Sequence, residues 1–173
     1  MDNYLYNYKD FTPEVHPEAI IFPGVKIIGR VEIGQDSSIW YNSVIRGDVN
    51  FIKIGSKTNI QDLSVLHVTS DNPLIIGNGV TIGHAVKLHG CTVEDFCLIG
   101  IGSVVLDGAV VSRNSIVAAG AVVKPGYVVP SGKLVAGVPA KVVRDLTPSE
   151  IEDIAHSAER YTEYARSSRQ EKE

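Results

Sequence analysis

The sequence predicts an all-β solenoid, a parallel coil of hexapeptide repeats closed by a C-terminal α-helix. Three regularities carry this reading. An aliphatic residue recurs every six positions at Ile33, Ile39 and Ile45, at Ile54, Ile60 and Leu66, and at Ile76, Ile82 and Leu88. It continues at Val93, Ile99, Val105, Val111, Val117, Val123, Val129 and Val135. A helix would place apolar residues every three or four positions, so this period is not helical. Small residues lie four places after many of these, at Cys97, Ser103, Ala109, Ser115 and Ala121. Finally, the step lengthens to nine between Ile45 and Ile54 and to ten between Leu66 and Ile76, each time after a set of three. Sets of three imply a three-sided coil, with sides of about six residues, turns of about eighteen, and the extra residues bulging from a corner.

The elements follow in order. Residues 1–19 form an N-terminal arm that begins MDNYLYNYKDF, polar and aromatic, without the charged-then-apolar pattern of a signal peptide. Residues 20–146 form the coil. A five-residue step from Leu88 to Val93 slips the register, and the corner after His89 must absorb it. Most glycines accompany corners, where left-handed or crowded backbone favours them. In residues 147–173, Thr147-Pro148-Ser149-Glu150 reads as a capping box with Pro at the first helical position, opening a helix to about Ser168. Its stripe of Ile151, Ile154, Ala155, Ala158, Tyr161 and Ala165 should cover the outside of the coil or a subunit contact. The charged tail RSSRQEKE is expected to fray.

Composition narrows the class. A chain of 173 residues with 44% hydrophobic and 21% charged residues suits one globular domain. A formal net charge of −4 gives no basic footprint for nucleic acid, and no apolar run is long enough to cross a bilayer. Cys91 and Cys97, six apart, fit neither a CxxC pair nor a secreted disulfide framework, so a cytoplasmic location with no membrane partner is expected.

Stacked turns lie about 4.8 Å apart, so equivalent positions form columns. Arg46, His67 and His89 each follow the third aliphatic residue of their turn and should share one column. Asp62 and His84 each come two places after the second and should share a column on another face. One turn on, the equivalent positions are Leu106 and Ile101, where the polar columns end. His84 therefore cannot easily join His67 and His89 within one subunit. A second subunit in a three-fold packing can bring it to them.

The residues Arg46-Gly-Asp48, Asn59-Ile-Gln61-Asp62, His67 and Gly83-His84 with His89-Gly-Cys91 resemble the γ-class carbonic anhydrase family, in its compact bacterial branch, over about Ile20 to Leu146. That resemblance implies a left-handed β-helix, a homotrimer, and a metal site between subunits. The metal would be zinc, with Fe2+ or Co2+ possible, held by His67 and His89 of one subunit and His84 of the next. By the same resemblance Gln61 would hydrogen-bond the metal-bound hydroxide or bicarbonate, and Asp62 would hold the local network. Arg46 and Asp48 would pair at the subunit contact, with Arg46 suited to steering bicarbonate. Three imidazoles with an open fourth position are the ligand set of a catalytic zinc site, which gives hydroxide near neutral pH for attack on carbon dioxide.

The chain also departs from the family. Val49 stands where better-known members carry a glutamate thought to move protons, and the loop Val68–Pro73 has no glutamate either. A C-terminal tyrosine common in compact members is read as replaced by Val135 or a neighbour in GKLVAGVP. Hydration is therefore expected to be weak in proton export. Two other functions compete with it. One is a hexapeptide acyltransferase with coenzyme A lying near Gly137–Lys141, and the other is a metal-bearing scaffold. His16 and His156 fall outside the pattern and are read as solvated.

Overall fold

The computed structural model describes residues 4–170, and in them the repeat closes into a left-handed parallel β-helix of about seven turns followed by one helix. Every member of the six-residue aliphatic series is 2% exposed or less, and the small residues Cys97, Ser103, Ala109, Ser115 and Ala121 are buried beside them. One wall stacks Ile20–Ile21, Ser38–Ile39, Asn59–Ile60, Thr81–Ile82, Leu98–Ile99, Ile116–Val117 and Lys133–Ala136. The other two walls are joined where Lys26–Ile33 and Val44–Ile54 run through a corner as continuous strands. In the N-terminal arm, Leu5–Tyr6 and Glu14–Val15 pair in parallel with Lys26–Ile33.

The sides differ from the six-residue strands that the period suggests. Most contain a two-residue ladder, and the remaining four residues build the corner. The reason is the tightness of the prism, because each corner needs a residue in the left-handed region. Asn42, Leu63, Ala85, Gly102 and Gly120 occupy one such column, with φ between 57° and 67°. Seven of the residues at that corner and its neighbour, Asp36, Asn42, Lys57, Leu63, Ala85, Phe96 and Asn114, carry a side chain in this conformation, which costs about 1–2 kcal/mol for a residue such as Leu63 or Phe96. The five-residue step is taken up at Gly90, whose φ is +50°, and a Cβ there would come within 3.0 Å of Asn72.

The long steps bulge as expected. Between Gly29 and Val31 the facing strand runs from Gly47 to Ile52, which leaves extra residues at the corner around Asp48 and Val49. The second bulge, after His67, is tied by Thr69 N–H to the Asn72 carbonyl at 3.1 Å and by Asn72 N–H to Thr69 Oγ1 at 3.0 Å.

The helix, α1 (Pro148–Gln170), opens on the capping box read from sequence. Glu150 N–H donates to Thr147 Oγ1 at 3.2 Å, and Thr147 N–H donates to Glu150 at 2.9 Å. Its apolar stripe lies on the outside of the coil, across the wall that holds Asn59 and Thr81, with Ile154, Ala158 and Ala165 buried. The helix runs past Ser168 to Gln170, so the start of the expected frayed tail is helical. There Arg166 reaches Asp36 at 2.7 Å, which fastens that end to the coil. The last three residues lie outside the described ones.

Candidate metal centre

Strand register turns the sequence count into neighbours. Arg46 pairs with His67, and His67 with His89, so the three stand in one column. On the next wall Asn59 pairs with Thr81 and Ile60 with Ile82, which carries Asp62 beside His84. The His84 Nδ1 lies 2.7 Å from Asp62 Oδ2. The pairings of Leu88 with Val105 and of Ile82 with Ile99 put Leu106 and Ile101 next in line, and the columns turn apolar there. His16 Nδ1 accepts the Glu18 N–H, and His156 is exposed on α1.

His67, His84 and His89 are each held by a carboxylate, and the pattern of contacts decides what the rings can bind. His89 Nδ1 lies 2.5 Å from Asp107 Oδ1, and His67 Nε2 lies 3.1 Å from Asp48 Oδ1. A carboxylate only accepts, so each of these contacts takes the proton of a neutral ring. What remains is His67 Nδ1 facing His89 Nε2 at 3.0 Å, two lone pairs pointed at each other. Such a pair is repulsive unless a cation or a proton sits between the nitrogens. Burial holds the His67 pKa below its ordinary value, with Arg46 adding to this and Asp48 opposing it, which disfavours the proton. The donor set therefore fits a metal. In the same way Asp62 fixes His84 with its Nε2 free.

Among the described residues of one chain, no group of three histidine, cysteine or acidic side chains could hold a metal ion. His67 and His89 converge, and His84 stands on the neighbouring wall.

Arg46 pairs with the Asp48 carboxylate, which also accepts Val49 N–H at 2.9 Å. Burial alone would raise the Asp48 pKa, but Val49, His67 and Arg46 together hold it below the ordinary value. Asp48 is thus an anion that locks one ring of the pair. Gln61 is buried beneath α1, and its Nε2 donates to Asn59 Oδ1 at 3.1 Å.

Asp107 was not visible in the sequence as a partner for His89. The only signal was its place immediately after Leu106, the position stacked on His89. The reading of Val135 or a neighbour as the replacement for a site tyrosine is narrowed, because Val135 itself is fully buried in the core. A tyrosine does approach the site from α1: Tyr161 packs edge-on against Trp40, at 5.8 Å between ring centroids. Its pKa is raised by burial and by the Asp62 carboxylate. Val49 is 55% exposed at the apex of its bulge. Both cysteine thiols are unpaired and buried, and burial pushes each up to about 12, which makes them inert wall residues.

No protein-family model matches the chain. It is 52% identical over 159 residues to a carbonic anhydrase of Geobacillus kaustophilus, covering 92% of this chain and 87% of that protein. It is 48% identical over 167 residues to gamma carbonic anhydrase 1, mitochondrial, of Arabidopsis thaliana. That match covers 93% of this chain but 61% of the plant protein, so the chain spans less than two thirds of that relative's length. Among solved structures, a hexapeptide transferase family protein from Anaplasma phagocytophilum superposes with a TM-score of 0.93 at 43% identity, covering 96% of this chain and 99% of that one.

Proposed function

We propose, because this chain belongs to the γ-class carbonic anhydrase family, that it interconverts carbon dioxide and bicarbonate at a metal site built between subunits of a homotrimer. His67 and His89 would hold the metal from one side, and His84 of the partner subunit from the other. Zinc is the first candidate and Fe2+ or Co2+ are alternatives, since imidazole suits all three. When bound, such a metal would lower the pKa of its water to about 7 and so supply a nucleophile at neutral pH.

The chain's own groups do the rest. Asp48, Asp107 and Asp62 hold the ring protons, so that each imidazole offers a lone pair. Arg46 lies next to His67 in register and is 44% exposed at its side chain, so it can attract an anionic product while its charge is tempered by Asp48. Gln61 supplies a neutral hydrogen-bonding group near Asp62. Proton export has no glutamate to carry it on Val49 or on the loop Val68–Pro73, so turnover should be limited by buffer. A cytoplasmic location belongs to the same reading, supported by the two unpaired cysteines.

The observation that carries this reading is the facing pair of ring nitrogens at 3.0 Å, with both outer nitrogens on carboxylates. A transferase using coenzyme A has no need of that arrangement. The test is metal content together with carbon dioxide hydration, measured anaerobically with zinc, iron and cobalt. We expect about one metal per subunit and hydration that rises with buffer concentration. Full metal occupancy without hydration under any metal would point to a scaffold, and coenzyme A binding without metal to a transferase.

A further inference from the structure

A buried polar chain leads away from Gln61 toward α1. Gln61 Nε2 donates to Asn59 Oδ1 at 3.1 Å. Asn59 Nδ2 donates to Thr81 Oγ1 at 3.0 Å, and Thr81 Oγ1 lies 3.2 Å from Ser157 Oγ on the helix. All four residues are buried, between 2% and 8% exposed. An amide can be turned either way round, so the direction of such a chain must be fixed by something that cannot turn. Here the fixed group is the backbone carbonyl of Val80, which lies 3.4 Å from Asn59 Nδ2. A carbonyl only accepts, so the atom facing it must be the amide nitrogen, and Asn59 Oδ1 is forced to the Gln61 side.

The rest follows step by step. With Asn59 Oδ1 turned toward it, Gln61 must offer its NH2, and its Oε1 is left pointing out of the network. Among the described residues Oε1 accepts no hydrogen bond, yet it is not a sealed orphan: the one fully enclosed side-chain polar atom there without a partner is Ser103 Oγ. On the other side, Thr81 Oγ1 already accepts from Asn59, so its hydrogen is free to donate to Ser157.

We propose that Thr81 and Ser157 are positioning residues that anchor the Asn59 amide in the direction set by the Val80 carbonyl and so hold the Gln61 amide with its carbonyl oxygen outward, so that α1 helps to build the site as well as covering the wall. Gln61 would then accept a proton-bearing group of the reactant, the role of a hydrogen-bond acceptor with its lone pairs uncommitted. This rests on the hydration reading for its consequence in catalysis, but the orientation itself is independent of it.

The experiment compares wild type, Thr81→Val, Thr81→Ser and Ser157→Ala, each as the intact oligomer with its metal content and melting temperature checked. Its first readout is hydrogen exchange of the Asn59 and Gln61 side-chain NH2 groups by NMR. Thr81→Val should speed exchange at both by about tenfold, Ser157→Ala should do so by less, and Thr81→Ser should stay close to wild type. The second readout is steady-state hydration, in which Thr81→Val should lower kcat by about tenfold with KM and metal content unchanged. Unchanged Gln61 exchange in folded Thr81→Val would overturn the proposal, as would lost protection with an unchanged kcat. If wild type hydrates nothing, the hydration reading fails on its own and the exchange data alone decide the orientation.

Discussion

The two halves of the coil use the same repeat for different ends. Residues 44–91 carry the bulges, the polar columns and the buried amide chain, whereas residues 92–135 are plain, with valine-rich two-residue ladders and no outward histidine. Inward, the halves are equivalent: Ile60 and Ile99 are both fully buried and one wall pairs them through Ile82. Outward, His89 gives way to Leu106 and His84 to Ile101. The scaffold therefore sets positions and spacing, and a few substitutions at corners turn a wall into a site. Because the inward series stays buried throughout, the outward histidines are added without interrupting the core.

The largest effects should fall on what the halves share. Ile60→Ala and Ile99→Ala should each cost about 2–5 kcal/mol in denaturant unfolding, and to a similar extent. A core change harmless in one half and severe in the other would show that the halves are not equivalent.

A next, smaller effect should appear only at the histidine site, to which the second half contributes Asp107. Asp107→Asn leaves His89 without its proton acceptor and should weaken metal binding by about 10–100-fold, read by chelator competition, with little change in melting temperature. Asp95→Asn, at a corner away from the histidines where Asp95 accepts Asn78 N–H at 2.7 Å, should leave metal affinity unchanged. Equal losses in both variants would remove the assigned role of Asp107.

Corners sharpen the contrast further. Gly90→Ala combines a positive φ with a Cβ contact of 3.0 Å and should cost more than about 1–2 kcal/mol. Gly120→Ala has a similar φ but open space around the added Cβ, and should stay within that range. Thermal melts that rank the two the other way would mean that Gly90 does not absorb the short step.

The smallest effect concerns the closing helix. Arg144 holds Glu150 through two bonds of 2.7 Å, and together with the Thr147 backbone lowers its pKa from 4.5 to about 2. A depressed carboxyl stabilises the folded state above its unfolded pKa, so this contribution is complete above about pH 4.5 and is lost as pH falls toward about 2. The pair is exposed, so the change should be slight. Glu150→Gln should flatten that part of the pH dependence of melting, and an unaltered acid limb would exclude the pair as its source.

Much of this was legible in the sequence. The period of six gave the core, because each inward residue must meet its equivalent one turn away. The columns of Arg46, His67 and His89 and of Asp62 and His84 followed from counting. Other parts depended on geometry that no count supplies. Asp107 sits one place off the His89 column, and only the corner backbone at Gly90 and Gly108 turns it back to the ring. Ser157 meets Thr81 across 76 residues, through a helix whose docking wall the stripe alone did not choose. Side lengths were overestimated because left-handed corners use four of every six residues.

The most direct measurement mixes two variants. His84→Ala lacks the ligand proposed to come from the partner subunit, and His67→Ala with His89→Ala lacks the other pair, so each alone should bind little metal. Coexpressed and purified as mixed oligomers, they should regain metal and hydration at the interfaces where an intact His84 meets an intact His67 and His89. Full metal in His84→Ala alone, or no recovery in verified mixed oligomers, would contradict a site shared between subunits.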